Sequence, residues 1–166
     1  MASAIAAREL RVDTHIAAAP EQVWSVLADI KEMRRRSPEL VVMLPLLRGG
    51  LRSGQQYLGI NRRKAAVWPT HNVVTACEPG RLLAWDTRTS GAHWIYELQA
   101  EGAGTRVTHR RLVPRRLTVV SRLYTMLFLR GADHHSDELE QGMATSLAEL
   151  RRAVETSSDS GRDSGA

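Results

Sequence analysis

Residues 8–17 alternate between hydrophobic and polar positions. Leu10, Val12 and Ile16 fall on one side, and most residues between them are charged or polar. A period of two with one polar side predicts a half-buried β-strand. The chain therefore opens on a strand with one face toward a core.

Two short helices are predicted after this strand. Pro20 suits the first position of a helix, and Val23 and Leu27 then recur at helical spacing. A second helical stretch covers residues 31–36. It ends before Pro38, because proline disfavours helix in the residue that precedes it.

Six further strand-like segments follow, separated by turn signals such as Gly49-Gly50 and Pro79-Gly80. The first has the character of an edge strand because it contains Pro45. Short loops between successive strands favour antiparallel pairing. The predicted segments are residues 39–48, 55–62, 65–76, 81–88, 92–100 and 104–113.

The hydrophobic period changes after Pro114. Steps of three or four residues then predict a long C-terminal helix, interrupted near Gly131. Residues 156–166 contain no aliphatic side chain larger than Ala, so we expect a disordered tail there, and a flexible N-terminus over residues 1–7. The periodic residues of the helix are Leu123, Leu127, Leu139, Met143, Leu147, Leu150 and Val154.

This element order predicts an α+β fold, with a single domain over residues 8–155. An antiparallel sheet of about seven strands must curl because of its twist, and its concave face then needs a cover. The terminal helix is the only predicted element long enough to cover it. Such a layered arrangement encloses space between sheet and helix.

Composition narrows the class of protein. The chain has 166 residues, and its one cysteine, Cys77, excludes a disulfide framework. No signal peptide and no membrane span are predicted, so we expect a cytoplasmic protein. The net charge of +5 comes mostly from arginines before residue 131. Without a nucleic-acid motif, this charge favours a solvated surface over specific nucleic-acid binding, and a weak contact with anionic membrane stays open.

Several strings of residues resemble the START-like (SRPBCC) superfamily of polyketide cyclase/dehydratase and lipid transport proteins, in particular an actinobacterial branch. The resemblance spans residues 10 to 155 and implies the helix-grip fold, in which a curved antiparallel sheet wraps around the long C-terminal helix. Arg36 stands where that branch usually shows Trp. The strings are Ile16-Ala-Ala-Ala-Pro-Glu-Gln-Val-Trp24, Arg36-Ser-Pro-Glu39, Gly54-Gln-Gln-Tyr-Leu-Gly-Ile-Asn-Arg62, Trp68-Pro-Thr70, Glu78-Pro-Gly-Arg-Leu-Leu-Ala-Trp85, Trp94-Ile-Tyr-Glu-Leu98, Gly104-Thr-Arg-Val-Thr108 and Gly142-Met-Ala-Thr-Ser-Leu147.

Aromatic residues on the inner strands are the main candidates for a ligand-binding lining. Trp94, Tyr96 and Leu98 share one strand phase and so one face of the sheet. An apolar lining with a few polar groups is typical of small-molecule pockets, whereas the alternative is a core filled by these same side chains. The candidate ligand-binding residues are Tyr57, Trp68, His71, Trp85, Trp94, Tyr96, Leu98, Leu127 and Met143.

Histidines are the candidates for acid–base chemistry. His109 shares the phase of Val107 and can point inward, where a neutral imidazole could enolise a carbonyl. His93 should face outward, and the direction of His71 stays open. His134 lies three residues before Asp137, but a metal site needs a third ligand, so neither a metal nor a cofactor is expected.

Polar residues near the ends of the predicted strands leave further alternatives. Asn61 and Arg62 either form a polar pair at a cavity or, as we favour, bond a local turn and solvent. The basic stretch around Arg110-Arg111 is expected to be a solvated surface.

Three functions are therefore weighed. The first is binding of a small lipophilic ligand, such as a lipid, polyketide or aromatic compound, in an internal cavity. The second is a cyclase or dehydratase that uses His109; whether any reaction is catalysed stays open. The third is an Arg-rich module that binds anionic membrane or nucleic acid. The sequence fixes neither the ligand nor the oligomeric state.

Overall fold

The computed structural model describes the backbone of residues 9–112 and 132–163, and the side chains of residues 9–112 and 139–157. The elements follow the predicted order of one strand, two short helices, six strands and a long helix. They are β1 (Leu10–Ile16), α1 (Pro20–Leu27), α2 (Met33–Arg36), β2 (Leu40–Pro45), β3 (Gln56–Arg63), β4 (Ala66–Glu78), β5 (Leu82–Thr87), β6 (Ala92–Glu101), β7 (Gly104–Leu112) and α3 (Ala132–Asp163).

The strands form one seven-stranded sheet in the order β1-β7-β6-β5-β4-β3-β2. Every neighbouring pair is antiparallel. The strand that carries Pro45 lies at one edge, as predicted, where a residue without an N–H costs no ladder hydrogen bond. The structure confirms the predicted α+β helix-grip fold.

Helix α1 begins as its sequence predicts. Pro20 occupies the first turn, and the Gln22 side chain accepts a hydrogen bond from the backbone N–H of Ala19 at 3.1 Å. Val23 and Leu27 are buried, because they share the face that packs toward α3 and the sheet. The apolar face is therefore what fixes α1 against the core.

Arg36 closes the other end of α1. Its guanidinium donates hydrogen bonds to the carbonyl oxygens of Val26 at 2.7 Å and Asp29 at 3.1 Å, and more weakly to Leu27 at 3.4 Å. The last carbonyls of a helix have no partner within it, so this side chain satisfies them. Arg36 is only 8% exposed, and burial lowers its pKa.

Helix α3 lies across β1, α1, α2 and β7. Its buried side chains Leu147, Leu150 and Val154 join the main hydrophobic core together with Ile16 and Val107. The side chains that recur at helical spacing over residues 139–154 therefore form the face of α3 that covers the sheet. Leu123, Leu127 and the predicted interruption near Gly131 lie outside the described residues.

Helix α3 extends further toward the C-terminus than the sequence predicted. We expected a disordered tail from Thr156, but the backbone stays helical to Asp163. The hydroxyls of Thr156 and Ser157 donate hydrogen bonds to the carbonyl oxygens of Arg152 and Ala153, four residues earlier. Each residue added to an existing helix gains one backbone hydrogen bond without a new nucleation cost, and this favours continuation of α3 past Val154. None of the described helices is long and apolar enough to cross a membrane.

Candidate functional site

A cavity of about 230 Å³ lies between the concave face of the sheet and α3. The main core fills the rest of this groove, around Leu98, Val107 and Val154. The same strands therefore bury a packed core at one end and border empty space at the other. The lining residues are Leu27, Met33, Arg36, Ser37, Pro38, Glu39, Leu40, Met43, Asn61, Trp68, Thr70, Asn72, Trp85, Thr87, Ser90, Trp94, Tyr96, His109, Arg111, Leu139, Gly142, Met143, Ser146 and Leu150.

Four rings from β5, β6 and β7 form an aromatic row: Trp85, Trp94, Tyr96 and His109. Trp85 stacks on Trp94 and on Tyr96, with ring centroids 6.3 Å and 5.8 Å apart. His109 stacks on Tyr96 at 3.9 Å and lies 5.6 Å from Trp94. These residues meet because the antiparallel register sets Trp85 opposite Trp94 and Tyr96 opposite His109.

His109 points into the cavity, as its strand phase predicted, and is 3% exposed. Neither ring nitrogen makes a hydrogen bond of ordinary geometry with the described residues. Burial lowers the pKa of His109 to about 3, and a polar contact with the Met143 backbone opposes this effect only in part. The imidazole is therefore neutral at physiological pH, with one nitrogen able to donate and the other able to accept.

Tyr96 supplies a second polar group on the same wall. Burial raises its pKa, and the positive charge of Arg36 acts in the opposite direction. The phenol therefore stays protonated, and its O–H can serve as a donor.

A polar strip lies beside the aromatic row on β3, β4 and β5: Asn61, Thr70, Asn72 and Thr87. Thr70 Oγ1 accepts hydrogen bonds from the side-chain amides of Asn61 at 3.0 Å and Asn72 at 3.2 Å. The Thr87 hydroxyl donates to Asn72 Oδ1 at 2.8 Å. Gly59 leaves room for this network, since a Cβ there would lie 2.6 Å from Thr70 Oγ1.

Arg111 follows His109 on the inner face of β7 and also lines the cavity. Its Cζ lies 5.2 Å from the centroid of the Trp94 ring, which is within the range of a cation–π contact. Burial lowers its pKa to about 10, and the charge of Glu39 acts in the opposite direction. The guanidinium is therefore still charged at physiological pH.

Most of the predicted ligand-binding residues meet at this cavity. Leu127 lies outside the described residues. The predicted residues that line the cavity are Trp68, Trp85, Trp94, Tyr96, His109 and Met143.

Three predicted residues do not reach the cavity. Tyr57 and Leu98 lie on the concave face but belong to the packed core, because they occupy the filled end of the groove. His71 lies on the opposite face of β4 from Trp68 and Thr70, and its Nε2 lies 2.9 Å from Gln56 Oε1. Strand phase gives the face of a residue but not its depth along the groove.

Of the other polar residues singled out in the sequence, some lie where they were predicted and one does not. His93 faces away from the cavity, as predicted, with its Nδ1 2.6 Å from Asp86 Oδ1. Asn61 points into the cavity, so the favoured expectation of a turn-bonding role was wrong. Arg110 lies on the outer face and pairs with Glu9 at 2.6 Å.

Sequence reasoning missed several cavity residues that had a usable signal. Arg111 has the same strand phase as Val107 and His109, although we assigned it to a solvated surface. Thr70 and Asn72 continue the phase of Trp68. Arg36 carried a signal of its own, because it replaces an expected Trp. Among the residues whose side chains are described, no cluster of three metal-ligating side chains is found, and His134 and Asp137 lie outside that set.

Several solved structures share the fold of this chain. A polyketide-cyclase-like protein from Corynebacterium glutamicum is 21% identical and superimposes with a TM-score of 0.59, covering 90% of each chain. A protein from Nitrosomonas europaea is 14% identical, with a TM-score of 0.68 over 91% of this chain and 96% of its own. The di-domain ARO/CYC StfQ from the steffimycin biosynthetic pathway is 12% identical, with a TM-score of 0.70 over 91% of this chain and 51% of its own.

The amino-acid sequence was compared with curated proteins and with family models. No curated protein matches the chain. The family model described as polyketide cyclase / dehydrase and lipid transport matches residues 7–155, which is most of the chain. The chain therefore belongs to the polyketide cyclase / dehydrase and lipid transport family.

Proposed function

We propose that this domain, in the cytoplasm, binds a small lipophilic molecule in the cavity between sheet and α3. The observation that carries the proposal is His109, which is buried in the cavity wall and whose ring nitrogens, apart from a polar contact with the Met143 backbone, make no hydrogen bond of ordinary geometry with a described residue. An unmet buried polar group costs about 1 to 3 kcal/mol. A ligand that supplies the missing partner would recover that free energy.

The shape and chemistry of the cavity support a compact, flat ligand. A volume of about 230 Å³ lies just below the roughly 300 to 1,000 Å³ of common ligand pockets, which favours a small molecule over a two-chain lipid. The aromatic row offers stacking surfaces, and the polar strip offers hydrogen bonds on the neighbouring strands. Apolar burial would drive binding, and these polar groups would orient the ligand.

Native mass spectrometry of freshly purified protein tests this proposal. We expect a mass above that of the 166-residue chain, which disappears on denaturation and returns when the extracted small molecule is added back. A wild-type protein that carries no ligand and shows no thermal stabilisation by any apolar compound would contradict it.

A second candidate is a cyclase or dehydratase acting on a poly-carbonyl substrate. The observation in its favour is that His109 and the Tyr96 phenol lie together in one cavity, where they could act as base and hydrogen-bond donor. Against it, a general base works best with a pKa near the operating pH, and that of His109 is about 3. Turnover that His109→Ala abolishes while ligand binding survives would favour the enzyme.

A further inference from the structure

Arg111 is a partly buried positive charge on the cavity wall. The carboxylate of Glu39 acts on it electrostatically, but no described carboxylate is found within ion-pair distance of it. Among the described residues, the ion pairs within 4.0 Å involve the arginines around it, such as Arg110 with Glu9 and Arg106 with Glu101, but not Arg111 itself. Its Nε is buried and has no hydrogen-bond partner among those residues. The cavity thus contains an unmet cationic donor.

Within the part of the chain that the structure describes, no hydrogen bond from the Arg111 guanidinium is found, and its buried Nε has no partner there. The Trp94 ring lies against the guanidinium at 5.2 Å, and a cation over a ring uses its face rather than its N–H groups. A guanidinium presents its N–H groups in one plane, where two of them match the two oxygens of a carboxylate. A buried charge becomes favourable only when such hydrogen bonds are made.

The surroundings favour a single negative charge over a double one. Glu39 lines the same cavity and pairs with Arg63 at 3.9 Å. Its carboxylate would repel a phosphate dianion more strongly than a carboxylate monoanion. Trp94 belongs to the aromatic row and also lies 5.2 Å from Arg111 Cζ, so a flat ligand body placed on this row would have its acid group close to Arg111.

We infer that the ligand is a small aromatic or unsaturated carboxylic acid, whose carboxylate binds Arg111 while its flat body stacks on the aromatic row. This inference rests on the proposed function, because it names the ligand class of the same cavity. The neutral imidazole of His109 then bonds a hydroxyl or carbonyl of the ligand body.

Calorimetric titration with a matched pair of probes tests the inference. The probes are 2-naphthoate and its neutral amide, 2-naphthamide, which share a ring system and differ in charge. For the wild-type protein at pH 7 and fixed ionic strength, we expect the acid to bind about 10- to 100-fold more tightly than the amide, as charge-assisted hydrogen bonds do.

Two variants show whether the preference for the acid over the amide depends on Arg111. Arg111→Gln should abolish the preference for the acid, so that this variant binds acid and amide with similar affinity. Arg110→Gln removes the same charge from the next residue, on the outer face, and should keep the preference. If Arg111→Gln does not fold, Arg111→Lys replaces it: this variant keeps the charge but loses the planar pair of N–H donors, and should bind the acid more weakly than wild type does.

The possible results distinguish a failure of the inference about the ligand class from a failure of the proposed function, ligand binding in the cavity. Equal binding of acid and amide to the wild-type protein, or a preference for the acid that survives in Arg111→Gln, would overturn the inference and leave cavity binding standing. If neither probe bound, and no apolar compound stabilised the protein, both the inference and the proposed function would fall.

Discussion

The imidazole of His109 lies against the phenol ring of Tyr96 with centroids 3.9 Å apart and planes 13° from parallel. Both residues are on the concave face of adjacent strands and directly opposite in register. This stack buries the only histidine among the described residues that lines the cavity. It therefore places a neutral polar ring in the aromatic row and makes the stability of the fold depend on pH.

The stability of the fold should fall in mild acid because of His109. Its folded-state pKa of about 3 lies below the ordinary value of 6.5, so the unfolded chain binds the proton more readily. The stabilisation is fully present above pH 6.5 and is lost as the pH falls from 6.5 toward 3. Chemical denaturation at pH 6.5 and 4.5 should show the wild type losing about 2 kcal/mol more than His109→Leu. Equal losses would mean that His109 accepts a proton in the folded protein.

The Asp13 carboxyl titrates in a separate window. Hydrogen bonds from Thr108 and Arg11 lower its pKa below 3.8, so its contribution is lost only at a pH below that value. The interval between pH 4.5 and 6.5 therefore lies above the window of Asp13, and the comparison with His109→Leu assigns the difference in this interval to His109.

Replacement of Arg36 should destabilise the protein far more than replacement of its neighbour. Arg36→Ala leaves carbonyl oxygens at the end of α1 without their buried donor, with an expected cost of about 2 to 4 kcal/mol. The control Arg35→Ala removes an exposed pair with Glu32 and should cost less than about 1 kcal/mol. Urea denaturation measures both variants. Similar losses for the two would show that Arg36 does not hold the end of α1.

Gly59 should be required by the polar strip. In Gly59→Ala the new Cβ would lie 2.6 Å from Thr70 Oγ1 and 3.1 Å from Asn72 Nδ2, so these side chains must move. Overpacking of this kind costs about 1 to 3 kcal/mol. A double-mutant cycle with Thr70→Ala should recover about 1 kcal/mol or more, because the closest contact is removed. Strict additivity of the two free-energy changes would argue against this contact.

Period-two patterning was sufficient to predict the sheet and the inner face of most strands. It placed Trp94, Tyr96 and His109 on one face because alternation along a strand is a local property of the backbone. It could not separate Leu98, in the core, from Trp94, in the cavity. That difference depends on where α1 and α3 fill the groove, which is a property of tertiary packing.

The positions of most of the polar cavity residues were not predicted from the sequence. Arg111 and Asn61 were expected at solvent or in turns, because such side chains are rarely buried. Each of them lies at the cavity beside a partner from a neighbouring strand. Arg111 on β7 contacts Trp94 on β6, and Asn61 on β3 donates a hydrogen bond to Thr70 on β4. Long-range neighbours of this kind leave no local pattern in the chain.

The most direct test of the account fills the cavity from α3. Gly142 lines the cavity, and a Cβ there would meet Pro38 Cγ at 3.6 Å, an ordinary contact. Gly142→Leu should therefore project into the empty volume, and removing a glycine from a helix should hold or raise stability. The control Gln141→Leu adds the same side chain at the neighbouring exposed position.

The measurement is the dissociation constant of 2-naphthamide, a neutral probe that forms no ion pair with Arg111. We predict that wild type and Gln141→Leu bind it equally, whereas Gly142→Leu binds at least about tenfold more weakly while its free energy of unfolding does not fall. Undiminished binding by a stably folded Gly142→Leu would contradict the claim that the ligand occupies the space beneath α3.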